Sequence, residues 1–137
     1  MTLFEECIEA LTNEGEVTIL SHEQSKNVER SFEESIPFDD SFVHYKIDFS
    51  QMPRKKEIID VAEDILGELQ KNGVDIDEQV YVIWSDPTLP VIKTTIKSVI
   101  NVIYDVLAVS ADTWIFCPKE RYVVEFYHEG ETFLGFY

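Results

Sequence analysis

Residues 122–137 read YVVEFYHEGETFLGFY. Two runs rich in aromatic and β-branched residues flank Glu129-Gly130, the pattern of two strands joined by a tight turn. Gly130 supplies the positive φ that such a turn needs, and a longer loop stays open because neither Asn nor Asp precedes it. A turn at Glu129-Gly130 sets His128 opposite Glu131, Phe126 opposite Phe133 and Tyr122 opposite Tyr137. One face is then continuously aromatic with an ionic pair at its wet end. The other carries Val123, Glu125, Tyr127, Thr132, Leu134 and Phe136. In that register His128, Glu125, Glu129 and Glu131 do not converge. A general base needs an orienting partner and a pocket, so the tip reads as structure and not as chemistry.

Working outward, Pro118–Arg121 reads as a turn and Thr113–Phe116 as a preceding strand, which makes the C-terminus a three-stranded meander. Val80–Trp84 is an apolar strand followed by SDPTLP (85–90), a turn held by two prolines. Thr94 or Thr95 caps a helix running to about Leu107, with Ile96, Val99, Ile100, Ile103, Tyr104 and Leu107 inward. Ile58, Ile59, Ala62, Ile65, Leu66 and Leu69 predict a helix opened by Pro53 and closed near Lys71, with Gly73 as its C-cap. Arg54-Lys55-Lys56 then falls at the end that the helix dipole makes unfavourable for cations. Phe42–Phe49 alternates as a strand, with Val43, Tyr45, Ile47 and Phe49 inward and His44 on the solvent side. EESIPFDDS (33–41) is a loop. Ser21 caps a surface helix through about Phe32, Val17–Leu20 is a short strand, and Thr2 with Glu5 opens a helix through Leu11. The fold class is α+β: a mostly antiparallel sheet with three to four helices and a C-terminal β-meander, in one domain spanning 1–137.

The composition supports a packed core: 45% of the 137 residues are hydrophobic and 12% aromatic. A chain of this length buries roughly two thirds of the surface it exposes when unfolded. Neither a signal peptide nor a membrane span is expected. Cys7 and Cys117 lack metal-ligand spacing and read as core thiols in a reducing cytoplasm. The net charge is −16. Residues 1–40 hold eleven acids against Lys26 and Arg30, so the negative field is densest there. That field disfavours nucleic acid and anionic membrane as ligands and favours a cationic protein, although acidity alone also serves solubility.

VIWSDPTLPVIKT (82–94), AVSADTWIFCP (108–118), the terminal YVVEFYHEGETFLGFY and the opening MTLFEECIEAL resemble the CdiI group of immunity proteins, the partners of contact-dependent growth inhibition toxins. The resemblance implies a cytoplasmic, non-enzymatic inhibitor that binds the C-terminal domain of a cognate toxin. Many such domains are nucleases, whose cationic clefts a set of rigidly held carboxylates could fill, in a one-to-one complex that occludes the active site. No contact motif carries over, and residues 22–52 lie outside the resemblance. Two other readings stand beside this one: an acidic adaptor for another basic protein, and a small hydrolase. The second lacks a glycine-rich phosphate loop, a His pair at ligand spacing and a serine elbow. No cofactor or metal is expected. Asp75, Asp77 and Glu78 only faintly imitate the start of a calcium loop.

The expected toxin-binding residues are Glu33, Glu34, Asp39 and Asp40 with Phe38 and Phe42, where acid and aromatic occur together outside the resembling stretches. Glu14, Glu16, Glu23, Asp86 and Asp112 are secondary candidates. Trp84 and Trp114 are expected to pack in the core.

Overall fold

The structure is a computed structural model that describes residues 1–41 and 45–137. The first helix, α1 (Leu3–Glu14), begins with the expected capping box: the Thr2 hydroxyl accepts from the Glu5 N–H and the Glu5 carboxylate accepts from the Thr2 N–H. It ends at Gly15, whose N–H donates to the Leu11 carbonyl. Strand β1 is Thr18–Ile19. Ser21 and Gln24 form a second capping box for α2, His22–Ser35. This helix runs three residues beyond Phe32, so Glu33 and Glu34 occupy its last turn instead of a loop.

The strand expected over Phe42–Phe49 does not form among its described residues. Phe42, Val43 and His44 lie outside the described residues. Ile47 makes one isolated bridge to Phe38, and Phe49–Gln51 is a short 3-10 helix. Ile47 and Phe49 are buried as expected, but Tyr45 is 53% exposed.

The helix expected from Pro53 starts eight residues late. Arg54–Glu57 is an edge strand, β2, exposed along its length, and α3 spans Val61–Lys71. The basic trio therefore lies on a sheet edge, where charged side chains discourage pairing with another chain. That removes the conflict with the helix dipole. Asp64 explains the late start. Its carboxylate accepts from the N–H groups of Ile59 and Asp60 and fixes the turn into the helix. Gly73, at φ 72, closes α3: its N–H donates to Gln70 and that of Val74 to Leu69.

Next come β3 (Gln79–Trp84) and an unexpected strand, β4 (Ile92–Thr95). The single helix expected up to Leu107 is two: α4 (Ile96–Asn101), capped by Thr95 and not Thr94, and α5 (Ile103–Leu107), broken at Val102. The meander follows as β5 (Thr113–Cys117), β6 (Tyr122–Phe126) and β7 (Thr132–Phe136).

All pairings in the sheet are antiparallel, in the order β1-β4-β3-β5-β6-β7-β2. The fold is α+β, with five α-helices among the described residues instead of three to four. Both faces of the sheet are covered. Val80, Val82, Ile115, Val124 and Leu134 face α1, α3, α4 and α5, while Ile83, Trp114, Phe116 and Val123 face α2 and the segment Ile47–Met52. Cys7 and Cys117 are buried free thiols. Burial, with Asp105 nearby, pushes the Cys7 thiol up to about 12, which makes it inert at neutral pH.

The terminal hairpin differs from the expected register by one residue. Tyr122 pairs with Phe136, Glu125 with Phe133 and Phe126 with Thr132. The loop is His128-Glu129-Gly130, closed by Gly130 N–H to the Tyr127 carbonyl and Tyr127 N–H to the Glu131 carbonyl, with Gly130 at φ 95. This is the three-residue hairpin, a type I turn followed by a left-handed glycine. The slip puts Glu125 on the α2 face with Val123 and Phe133, and moves Leu134 and Phe136 to the opposite one.

Candidate functional site

Helix α2 carries three of the candidate acids, Glu23, Glu33 and Glu34, on one side of the sheet. It is anchored from below by Phe32, whose ring meets Phe116 and Phe38 edge-on at 5.3 Å each. The buried Ser25 hydroxyl accepts from the Val91 N–H and ties the helix to the turn after β3. The opposite side of α2 is polar and exposed, and Glu23, Glu33 and Glu34 lie on it. Glu33 and Glu34 fall in a last turn that has no cation, where the negative end of the helix dipole disfavours them.

The chain then turns through Ile36 and Pro37 into Phe38–Ser41. Asp40 is exposed, and Asp39 and Phe38 are partly so. Asp39 is firmly held: its N–H donates to the Lys46 carbonyl, and its carboxylate accepts from the Ser41 N–H and hydroxyl. The Ser41 bonds hold the Asp39 carboxyl below its ordinary value, so it stays ionised. Phe38 stacks obliquely on Tyr45 at 5.2 Å, and the Tyr45 hydroxyl donates to Glu33 at 2.8 Å. That bond also raises the Tyr45 pKa. The structure thus brings Glu33, Phe38 and Asp39 into one connected surface, with Glu34 and Asp40 alongside. Phe42, also expected here, lies outside the described residues.

The secondary candidates scatter. Glu14 and Glu16 line a polar cleft of about 580 Å³ with Asp77, Gln79, Lys97 and Asn101, where Asn101 donates to Glu14 at 2.8 Å. Asp86 braces its own turn: its carboxylate accepts from the Thr88 N–H and hydroxyl, which lowers its pKa. Asp112 is 3% exposed and points at the hairpin tip. It accepts from the His128 N–H at 2.6 Å and lies 3.0 Å from His128 Nδ1. His128 therefore pairs with Asp112 and not with Glu131. Glu131 pairs with Lys46 at 3.1 Å.

Two features escaped sequence reasoning. Glu125 is buried at 2% exposure, and its Oε2 accepts from Trp114 Nε1 and the Ile47 N–H, each at 2.9 Å. Burial raises its pKa against the pull of those bonds and of Lys46. An alternation test could not flag a lone acid inside a strand as buried. The second feature is Tyr45, whose place in the alternation predicts burial but which stands beside Glu33 at the surface. Trp84 and Trp114 are buried, as expected, and donate to the Val106 carbonyl and to Glu125.

Among the described residues no group of three His, Cys, Asp or Glu side chains is placed to hold a metal, and no helix is long and apolar enough to cross a membrane. A family model described as CdiI immunity protein EcoliA0-like matches residues 1–135. No curated protein matches the chain.

Proposed function

The chain belongs to this family of immunity proteins against contact-dependent growth inhibition toxins, and from that premise we propose that it neutralises a cationic nuclease domain by covering its active site in a one-to-one complex. It acts in the cytoplasm of the producing cell, by binding and without catalysis. The toxin-facing surface is the end of α2 and the loop after it: Glu33, Glu34, Asp39 and Asp40, with Phe38 as an apolar contact and Phe42 adjoining in sequence.

The observation that carries this reading is the placement of those acids. Two stand where the helix dipole opposes them, and Asp39 is pinned in its ionised form by Ser41. Acids held against the helix dipole break a local rule, and such breaks concentrate at functional sites. A nuclease cleft built for phosphates supplies the complementary field. Such complementarity speeds association to about 10⁸–10⁹ M⁻¹s⁻¹ at low salt, and an immunity protein must engage its toxin before damage is done. Affinity then comes from desolvated aromatic contacts near the centre.

The test uses the toxin domain encoded beside this chain's gene, made catalytically inert. The two chains should co-purify and bind at micromolar affinity or better. Joint reversal of Glu33, Glu34, Asp39 and Asp40 to lysine should slow association at least tenfold and flatten its salt dependence, with Tm changed by only a few degrees. Unaltered association kinetics would place the interface elsewhere.

A further inference from the structure

A small cleft opens beside the acidic end of α2, and its chemistry is distinct from that of the open loop. It has a volume of about 100 Å³. Glu29 and Glu33 from α2, Tyr45, Trp114 and the stretch Trp84-Ser85 with Pro87 border it. Glu29 and Glu33 are four residues apart on one helix, so their side chains rise from the same face about 5–6 Å apart at Cβ. Like charges at that spacing destabilise a helix. Glu29 has a neighbour in Lys26 at 3.4 Å, whose own side chain is half exposed, and Glu33 has the Tyr45 hydroxyl. Lys26 does not line the cleft, and the Tyr45 hydroxyl carries no positive charge. Tyr45 adds an aromatic ring that is more than half exposed and is held in place by Phe38 and Glu33.

We propose that this cleft receives one arginine side chain of the toxin, its guanidinium set between the Glu29 and Glu33 carboxylates and against the Tyr45 ring. The inference rests on the immunity reading above and names the anchor within it. Charge selects a cation and shape selects arginine over lysine. A planar guanidinium offers donors in two directions at once and stacks on an aromatic face, whereas an ammonium is a compact, strongly hydrated point charge. Arginine in a partly desolvated pocket ringed by weaker contacts is the usual form of an interface hot spot.

The two tryptophans make the test specific. The chain has only Trp84 and Trp114. Trp114 packs on the α2 side with Phe32, while the Trp84 ring meets Phe4 on the opposite side of the sheet. The full chain labelled with 5-fluorotryptophan is titrated with the unlabelled, inert toxin domain. The Trp114 resonance should shift on saturation, and by more than that of Trp84, a residue that also borders the cleft but whose ring packs on the opposite side of the sheet. The Glu29→Gln/Glu33→Gln variant should weaken binding about tenfold or more with Tm nearly unchanged. One toxin arginine, replaced by glutamine, should cost little further affinity in that variant, and its replacement by lysine should not restore wild-type binding. Saturating toxin that leaves Trp114 unmoved, or a double variant of wild-type affinity, overturns the arginine pocket while the immunity reading stands. Absence of any toxin binding by the unaltered chain overturns both.

Discussion

At the scale of single residues, Glu125 and Gly135 carry the sharpest expectations. Glu125 is an acid in a strand interior, and its Oε2 satisfies the Trp114 indole N–H and the Ile47 backbone N–H. Glu125→Ala strands both donors in a dry site and should cost about 2–4 kcal/mol by urea denaturation. Glu125→Gln keeps an acceptor oxygen and should cost less. The raised pKa of Glu125 also gives a pH signature. The folded chain holds this proton more tightly than the unfolded one, so the contribution to stability is fully present below the unfolded value and is lost as pH rises through the folded value. The stability of wild type relative to Glu125→Gln should therefore fall as pH rises from the ordinary carboxylate value through the higher folded one, and an unchanging difference would contradict it. Gly135 sits where a Cβ would come within 2.2 Å of Met52 Sδ and 2.8 Å of the Phe49 ring. The 3-10 helix packs directly on the β7 backbone there, so Gly135→Ala should destabilise by about 1–3 kcal/mol through overpacking. Neither result was legible in the sequence. Alternation marked Glu125 as merely one of several acids near the C-terminus, and Gly135 meets partners more than eighty positions away.

At the scale of elements, legibility followed the range of the interactions. Capping boxes act over three residues, and Thr2-Glu5 and the Ser21 cap gave the starts of α1 and α2 correctly. The β5–β6–β7 meander was readable because each strand is long, apolar and joined by a short turn. The hairpin register was not, because a glycine at position 130 can serve either a two-residue or a three-residue loop, and the flanking sequence favours neither. Strands β2 and β4 were missed for a different reason. RKKE has no apolar pattern, and β2 exists only because β7 offers it an edge. β4 runs directly into α4, so Thr94 and Thr95 read only as alternative caps of the helix and the short stretch before them showed no strand. The end of α2 carries a prediction of this scale. Glu34 lies in a last turn without a cation, and Glu34→Gln removes its repulsion from the helix dipole. The free protein should gain about 1–2 °C in Tm by calorimetry, while association with the toxin slows. A variant that is both less stable and unimpaired in binding would mean that Glu34 serves the helix and not the partner.

At the scale of the whole molecule, the acids were visible in the sequence but their assembly was not. Glu33 and Asp39 read as neighbours in a loop, yet Glu33 lies in the last turn of α2 and borders a cleft completed by a turn after β3 and an indole from β5, which only the sheet brings beneath α2. The net charge of −16 has its own consequence, independent of where the toxin binds. Self-repulsion opposes the compact state, and salt screens it: the Debye length falls from about 30 Å at 0.01 M to about 8 Å at 0.15 M. The Tm of the free protein should therefore rise as NaCl is added over that range. The association rate with a cationic toxin should fall over the same range, because the same field that strains the free protein draws the partner in. The two trends share one cause and should both weaken in the variant with Glu33, Glu34, Asp39 and Asp40 reversed. If salt stabilises the free chain but leaves the association rate unchanged, the negative surface serves solubility, and the toxin is held through a face that carries little charge.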